Sequence, residues 1–441
     1  MTKIKQLANY RSISQIFSLF AGEEHTVILE STLQNHLGQY SIIGRVPYLI
    51  LEKRKGKLYV NQKEREEDFT VFLNTYLQEN KEENPTNLPL INGGIGFFSY
   101  DFDAGLEEEF PESLFCFYDE LIIEDHQAKA VYLVANGKLE DSDKALQRLE
   151  ETINGLKEVL EEGEITTSGE VEIRPNFEKA AYKKAIEQMI EHIIAGDIYI
   201  ANMTQRLEIT SKRTPYELYC NLRKQNPAPF AAYMNYPDLQ IVSASPERFI
   251  QMKEGFVTTR PIKGTRKRGE TEAEDAQLKE ELQQSEKDKS ELLMIVDLER
   301  NDLNRVCVPG SVQVDELFAI ETYATVHHLV ASISGKLETG KTAVDLLSAS
   351  FPGGSITGAP KIRAMEIIGA LEKGNRGLYT GSIGYISLDG NCDFNIVIRT
   401  AVYQKGVYHL GVGGGITCES DPEFEYEETL QKAKAIVKAL S

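Results

Sequence analysis

The feature that most constrains this chain is the order of its apolar patterns. Extended-looking segments come in adjacent runs, at 198–210, 229–264, 311–337 and 377–417, and helical periodicity fills the gaps at 177–196, 271–303, 342–350, 360–373 and 422–440. A parallel sheet needs strands that alternate with helices, because each parallel crossover consumes a dozen or more residues. Runs of neighbouring strands instead predict antiparallel sheets and an α+β fold. The first part of the chain fits the same picture: 47–61 alternates and turns at Lys55-Gly56, and 121–134 runs into Asn136-Gly137. Asp389-Gly390 marks a hairpin within the last run. Residues 141–163 read as a charge-laced helix, after which 161–176 (EEGEITTSGEVEIRPN) lose all apolar period. That stretch is the candidate linker between a portion spanning 1–160 and a second spanning 177–437.

Composition narrows the function classes. With 441 residues, 41% of them apolar, the chain can bury a large core. It carries 48 Lys and Arg against 68 Asp and Glu, a formal charge of −20. Such an acid excess excludes a general nucleic-acid binder, whose phosphate contacts need a basic face. The five cysteines, Cys116, Cys220, Cys307, Cys392 and Cys418, show neither CxxC nor framework spacing, so no structural zinc and no disulfide scaffold is expected. The N-terminal residues lack a signal-peptide pattern and no uncharged apolar run reaches about 18 residues. The sequence therefore predicts a cytoplasmic protein that does not enter a membrane.

Several segments bear chemistry, each with a plainer reading beside it. Residues 335–342, GKLETGKT, match the phosphate-loop pattern G-x-x-x-x-G-K-[ST] letter for letter. The LLMIVD segment (292–297) that would supply a magnesium-binding Asp lies upstream, in inverted order, and continues a helical pattern. The favoured reading is a strand ending in a polar turn, with Thr342 capping a short helix. Residues 258–269, TTRPIKGTRKRG, place five basic side chains, Arg260, Lys263, Arg266, Lys267 and Arg268, within nine positions. A solvated basic loop is the ordinary outcome for such a run. Pro261 and Gly264 nevertheless fix Lys263 in a bend, where a deprotonated amine can serve as a nucleophile.

FPGGSITGAPK (351–361) sets glycines, hydroxyls and Pro360 before a helix, as a plain N-cap loop or as an anion site at the helix start. GVGGGIT (411–417) is either a flexible turn or a strand whose consecutive glycines let a ligand approach the backbone. In DPEFEYEET (421–429), Glu425 and Glu428 share a helix face, where they complement the helix dipole or hold a hard cation such as Mg²⁺. His327 and His328 adjoin a strand, and one of the two is expected to point outward.

Taken together and in order, PIKGTR, LLMIVDLERND, HHLV, FPGGSITGAPK, RGLYTGSIGY, NIVIRTA and GVGGGIT with DPEFEYEET resemble the chorismate-utilising enzymes over about residues 177–437. That group holds the anthranilate synthase large component, aminodeoxychorismate synthase component I, isochorismate synthase and salicylate synthase. Residues 1–160 resemble the N-terminal portion shared by the anthranilate and aminodeoxychorismate enzymes. The resemblance implies one large α/β sandwich of two mainly antiparallel β-sheets flanked by helices. Lys263 within PIKGT resembles the aminodeoxychorismate branch, whereas anthranilate synthases typically place alanine there; NPAPFAAYM (226–234) points the same way. Ile200 stands where water-adding members carry a lysine base and most amine-adding members a glutamine. An isoleucine cannot activate water, so hydroxylation of chorismate is disfavoured.

Carried over residue by residue, the resemblance implies that Lys263 attacks C2 of chorismate while Glu247 protonates the departing C4 hydroxyl, with His328 and Ser355 lining the reacting ring. Gly264, Thr265, Tyr379, Arg399, Gly413, Gly414 and Gly415 would position the dianion, and Glu291, Glu425 and Glu428 would hold Mg²⁺. Basic residues around Lys263 are expected to make a local cationic pocket in an anionic protein. No cysteine sits in a G-x-C-x-G elbow, so ammonia is expected from a separate glutamine amidotransferase subunit. The implied product is 4-amino-4-deoxychorismate, on the way to para-aminobenzoate and folate, with anthranilate as the alternative. Anthranilate relatives bind tryptophan near an LxES segment, and Ser31 with Pro229, Phe230 and Ala231 form its candidate counterpart here.

Overall fold

The computed structural model describes residues 1–33, 37–102, 110–156, 169–323 and 326–441. All strand pairings among them are antiparallel, as neighbouring strand runs demand. Two long strands, Tyr40–Arg54 and Ser113–Asp125, pair with each other and bend where the register shifts between Pro47 and Leu49. Each serves two sheets. Toward one end, Ile42–Gly44 pairs with Thr26–Glu30, which pairs with Phe230–Tyr236; the order continues through Leu239–Ser245, Thr400–Gln404, Val407–Ile416 and Ile200–Thr210. Toward the other, Ser113–Phe117 pairs with Gly93–Phe98, followed by Ser382–Ser387, Cys392–Asn395, Arg248–Lys253, Phe256–Thr259 and Val326–Lys336. Strands from the first 140 residues thus pair directly with strands from beyond residue 200 in both sheets.

The result is a sandwich. Its middle is a fully apolar layer that includes Ile95, Phe97, Tyr118, Met234, Ile241 and Val397 from both sheets. Helices cover the outer faces: Pro215–Gln225 and Pro422–Leu440 bury Leu218, Leu222, Ile436 and Leu440 on one, and Glu286–Asn304 and Ala343–Ser350 bury Leu292, Val296, Leu346 and Leu347 on the other. Burial on this scale stabilises by about 25 cal/mol per Å² of apolar surface removed from water. None of the described helices is long and apolar enough to cross a membrane.

Three sequence expectations change in detail. The helix predicted over 271–303 is two helices, Glu272–Gln284 and Glu286–Asn304. Ser285 ends the first and caps the second, its hydroxyl accepting from the Asp288 N–H at 3.3 Å. Of the candidate linker, 161–168 lies outside the described residues, while Glu172–Pro175 is a strand paired with Leu207–Thr210. His327 and His328 are both buried, at 1% and 3% exposure, so neither points outward.

The GKLETGKT segment follows the plainer reading. Gly335 lies within the strand Val326–Lys336, and Thr342 caps Ala343–Ser350 in a reciprocal box with Asp345. The Asp345 carboxylate accepts from the Thr342 N–H at 2.8 Å, so the chain's own anion fills the helix start. LLMIVD lies inside the helix Glu286–Asn304.

Candidate active site

The sequence-predicted residues converge where Ile262–Lys267, the turn Gly354–Ile356 and the glycine strand Val407–Ile416 meet. Gly264 shapes the first of these. Its φ is +71°, and a Cβ there would lie 2.8 Å from the Asp288 carboxyl carbon, so only glycine fits. The register against Val326–Lys336 shifts between Lys263 and Thr265, a bulge that re-aims the side chains on either side. Lys263 Nζ then donates to Ser355 O at 3.2 Å, and Thr265 Oγ1 lies 2.9 Å from His328 Nδ1.

Charge pairing singles out Lys263. Arg260 is bridged to Glu316 and Glu321, Arg266 to Glu281 and Asp288, Lys267 to Glu274, and Arg268 to Asp275. The expected cationic pocket is therefore not made by the whole basic run, because acids outside the run pair with four of its five members. Among the described residues, Lys263 forms no salt bridge, and neither does Arg399, which sits at φ +50°. Burial lowers the Arg399 guanidinium from its ordinary value, with Glu247 pulling it back. Two half-buried cations without paired carboxylates suit a small dianion.

Glu247 faces both of them. Burial raises its carboxyl above the usual range, with Lys263 and Arg399 acting in the opposite sense. Such a carboxyl can hold a proton and give it to a leaving oxygen. Ser355 stands beside Glu247, its Oγ buried without a well-formed hydrogen bond. Burial, with Arg399 nearby, pushes His328 down to about 4, so its ring is neutral at pH 7.

The glycine strand supplies close approach. A Cβ on Gly411 would overlap the Tyr379 ring at 2.1 Å, and one on Gly413 would meet Met203 O at 2.5 Å. A Cβ on Gly415 would sit 3.4 Å from Lys263 Nζ and 3.5 Å from Ile200 Cδ1, so Ile200 forms an apolar wall beside the amine. Burial raises the Tyr379 hydroxyl well above its ordinary value, so it stays a donor.

Glu425 and Glu428 project from Pro422–Leu440 against Gly414, whose Cβ would lie 3.1 and 2.8 Å from their Oε2 atoms. Ser420 donates to Glu425 Oε1 at 2.7 Å, while Glu425 Oε2 is buried without a partner. Glu291 lies in electrostatic reach of Glu428 and of Lys263, and burial raises both Glu291 and Glu425. Among the described residues, no three such side chains are drawn together at metal-ligating distance. The orphaned Glu425 oxygen and the Glu428 carboxylate at the same glycine fit Mg²⁺, which takes one or two protein carboxylates and completes its shell with substrate and water.

Sequence reasoning missed several residues at this site. Asp288 lies one turn before Glu291 and packs against Gly264; its spacing to Glu291 was the available signal. Arg376 opens the RGLYTGSIGY motif but carried no assigned role. Its guanidinium is bidentate to Glu372 at 2.8 and 2.9 Å and donates to Ile356 O at 2.8 Å and Asn202 O at 2.6 Å. It thereby ties the turn carrying Ser355 to the strand paired with Gly415. His327, between Asp275 at 3.0 Å and Thr322 at 2.9 Å, holds the basic strand in place beneath His328.

Away from this site, Ser31, Pro229, Phe230 and Ala231 line one cavity of about 680 Å³ between the two portions of the chain. Ser31 Oγ bonds to Pro229 O at 3.0 Å, and Glu30 is held by Tyr219 and Arg223.

Known proteins are similar to this chain in sequence and fold. The chorismate binding enzyme family model matches residues 24–438. Aminodeoxychorismate synthase component 1 of Bacillus subtilis (strain 168) is 37% identical across 97% of this chain and 94% of its own length. Anthranilate synthase component 1 of Aquifex aeolicus (strain VF5) is also 37% identical, across 91% of this chain and 86% of its own. The crystal structure of anthranilate synthase component I from Streptococcus pneumoniae TIGR4 superposes with a TM-score of 0.82 at 28% identity, covering 98% of this chain and 99% of that one. Fold, matched length and the convergence of Lys263, Glu247 and the glycine strand agree: the chain belongs to the chorismate binding enzyme family.

Proposed function

We propose that this chorismate-utilising enzyme aminates its substrate at C4, the reaction of an aminodeoxychorismate synthase component I, with ammonia supplied by a glutamine amidotransferase subunit. The observation that carries the reading is Lys263, the one member of its basic run without a salt bridge among the described residues, facing Ser355 O, Gly415 and Ile200 with Glu247 in reach.

In the first step the Lys263 amine, once deprotonated, forms a bond to C2, the double bond shifts, and the C4–O bond breaks. Glu247 gives its proton to the departing hydroxyl, which leaves as water, and the lysine nitrogen passes a proton back to Glu247. In the second, ammonia bonds to C4, the double bond shifts back, and the C2–nitrogen bond breaks. Lys263 regains a proton and the added nitrogen loses one. A poor leaving group is thus removed with an acid, and one hard substitution becomes two easier ones. Arg399, Tyr379 and the N–H groups of the glycine strand bind and orient the dianion. Glu291, Glu425 and Glu428 would hold Mg²⁺, which when bound supplies charge to a substrate carboxylate. Ile200 keeps water from C2, and the neutral His328 ring bounds the ring site without adding charge.

The test is the purified chain with chorismate, Mg²⁺ and ammonium. 4-Amino-4-deoxychorismate is the expected product. Anthranilate would transfer the chain to the other branch, a reading favoured by the equal identity to the Aquifex relative. Tryptophan is proposed as an occupant of the Ser31 cavity. The chain contains no Trp, so indole emission from the purified protein is expected if that ligand is retained, and none would count against it.

A further inference from the structure

One buried acid near the site has no part in the steps above. Glu299, on Glu286–Asn304, is 8% exposed, and its Oε2 lies 2.8 Å from Thr259 Oγ1. The same hydroxyl lies 2.7 Å from Phe249 O. A hydroxyl has one proton, and a carbonyl oxygen only accepts. If Thr259 gives its proton to Phe249 O, the second contact needs a proton from Glu299. The titratable groups facing Glu299 agree: the Glu247 and Asp302 carboxyls lie on two sides and oppose its ionisation, while Lys361 is held by Asp302, Ser350 O and Pro352 O. Burial, with Glu247 and Asp302 adding to it, lifts Glu299 from 4.5 to about 8 against the opposing pull of the Thr259 contact and Lys361. Its Cγ also lies 3.4 Å from where a Gly354 Cβ would stand, directly under the turn that carries Ser355.

We propose that Glu299 is a positioning residue held as a neutral carboxylic acid behind Glu247, and that loss of its proton sets the alkaline limit of turnover. Ionised, it would set an anion behind Glu247, opposing release of the Glu247 proton, and leave Thr259 Oγ1 facing two acceptors with one proton. The turnover clause rests on the reading given under Proposed function; the protonation clause does not.

Three variants of the full chain separate the possibilities: wild type, E299Q and E299A. Gln replaces the acid by a permanent donor of the same shape. E299Q is expected to rescue the neutral-pH kcat that E299A loses, and to lack the fall in kcat centred near pH 8 in the wild type. A raised carboxyl weakens the fold progressively as pH rises from its unfolded value toward its folded one. The Tm of wild type relative to E299Q should therefore drop between pH 4.5 and about 8. Difference infrared spectra at neutral pH should show a protonated-carboxyl band that E299Q removes. Parallel Tm curves, or no such band, would overturn the neutral acid. A shared alkaline fall in kcat would overturn the turnover clause. If Tm and infrared behave as expected but chorismate is not consumed, the assigned reaction fails and the neutral acid stands.

Discussion

Two buried ion clusters lie within this sandwich, and they are built differently. At Arg376 every donor is met: Glu372 takes the guanidinium edge-on, Ile356 O, Asn202 O and Thr380 Oγ1 take the rest, and Thr204 N–H donates to Glu372 at 2.8 Å. At Lys263 the pairing is incomplete: the amine has one carbonyl, Arg399 has no salt bridge, and Ser355 Oγ has no well-formed hydrogen bond. A buried charge left partly unpaired is costly, whereas a closed network of the same residue types rigidifies. The first cluster is scaffold. The second leaves Lys263 and Arg399 outside any salt bridge among the described residues, as the proposed binding of a dianion requires.

Substitutions in the two clusters should therefore fail in different ways. The largest effect is expected at the open cluster. Lys263→Ala should reduce amination by more than about 10³-fold with the melting temperature nearly unchanged, as for the loss of an activated nucleophile. Glu247→Gln should cost about 10²- to 10⁴-fold in kcat, the span for a general acid. At the closed cluster the loss should appear as instability. Arg376→Met strands Glu372 and is expected to destabilise by about 3–5 kcal/mol in denaturant titration. Equal stability losses at Lys263 and Arg376 would erase the distinction.

A smaller effect is expected at the strand edge. Gly414→Ala places a Cβ 2.8 Å from Glu428 Oε2, so the carboxylates must shift, and the Mg²⁺ concentration for half-maximal activity should rise about 10-fold or more. An unchanged Mg²⁺ requirement would remove Glu425 and Glu428 from the proposed metal site. Smallest of all, Thr342→Ala should cost about 1 kcal/mol of stability through loss of a helix cap, with turnover per folded molecule intact.

The same contrast explains what could be read from the amino acids alone. Features set by short sequence spacing were legible: antiparallel runs, the GVGGGIT strand, the helix bearing Glu425 and Glu428, and Thr342 as a cap. Features set by distant partners were not. Nothing within 258–269 tells that Glu316, Glu321, Glu281 and Asp275 come from elsewhere to neutralise Arg260, Arg266 and Arg268. The same holds for Arg376, whose position in a motif is visible while its backbone acceptors 174 and 20 residues away are not. One of His327 and His328 was expected to point outward, because the partner that keeps His327 buried, Asp275, lies 52 residues upstream. Lys263 was legible as a fixed lysine; that it is the unpaired one emerges only from the fold.

The central claim, that this amine is left open in order to bond to substrate, is most directly tested by mass mapping. Wild-type protein is mixed with chorismate and Mg²⁺ without ammonium, quenched, digested and mapped. A substrate-derived adduct on Lys263, absent from Lys263→Ala, is the predicted result; an unmodified Lys263 together with full activity in the alanine variant would contradict it.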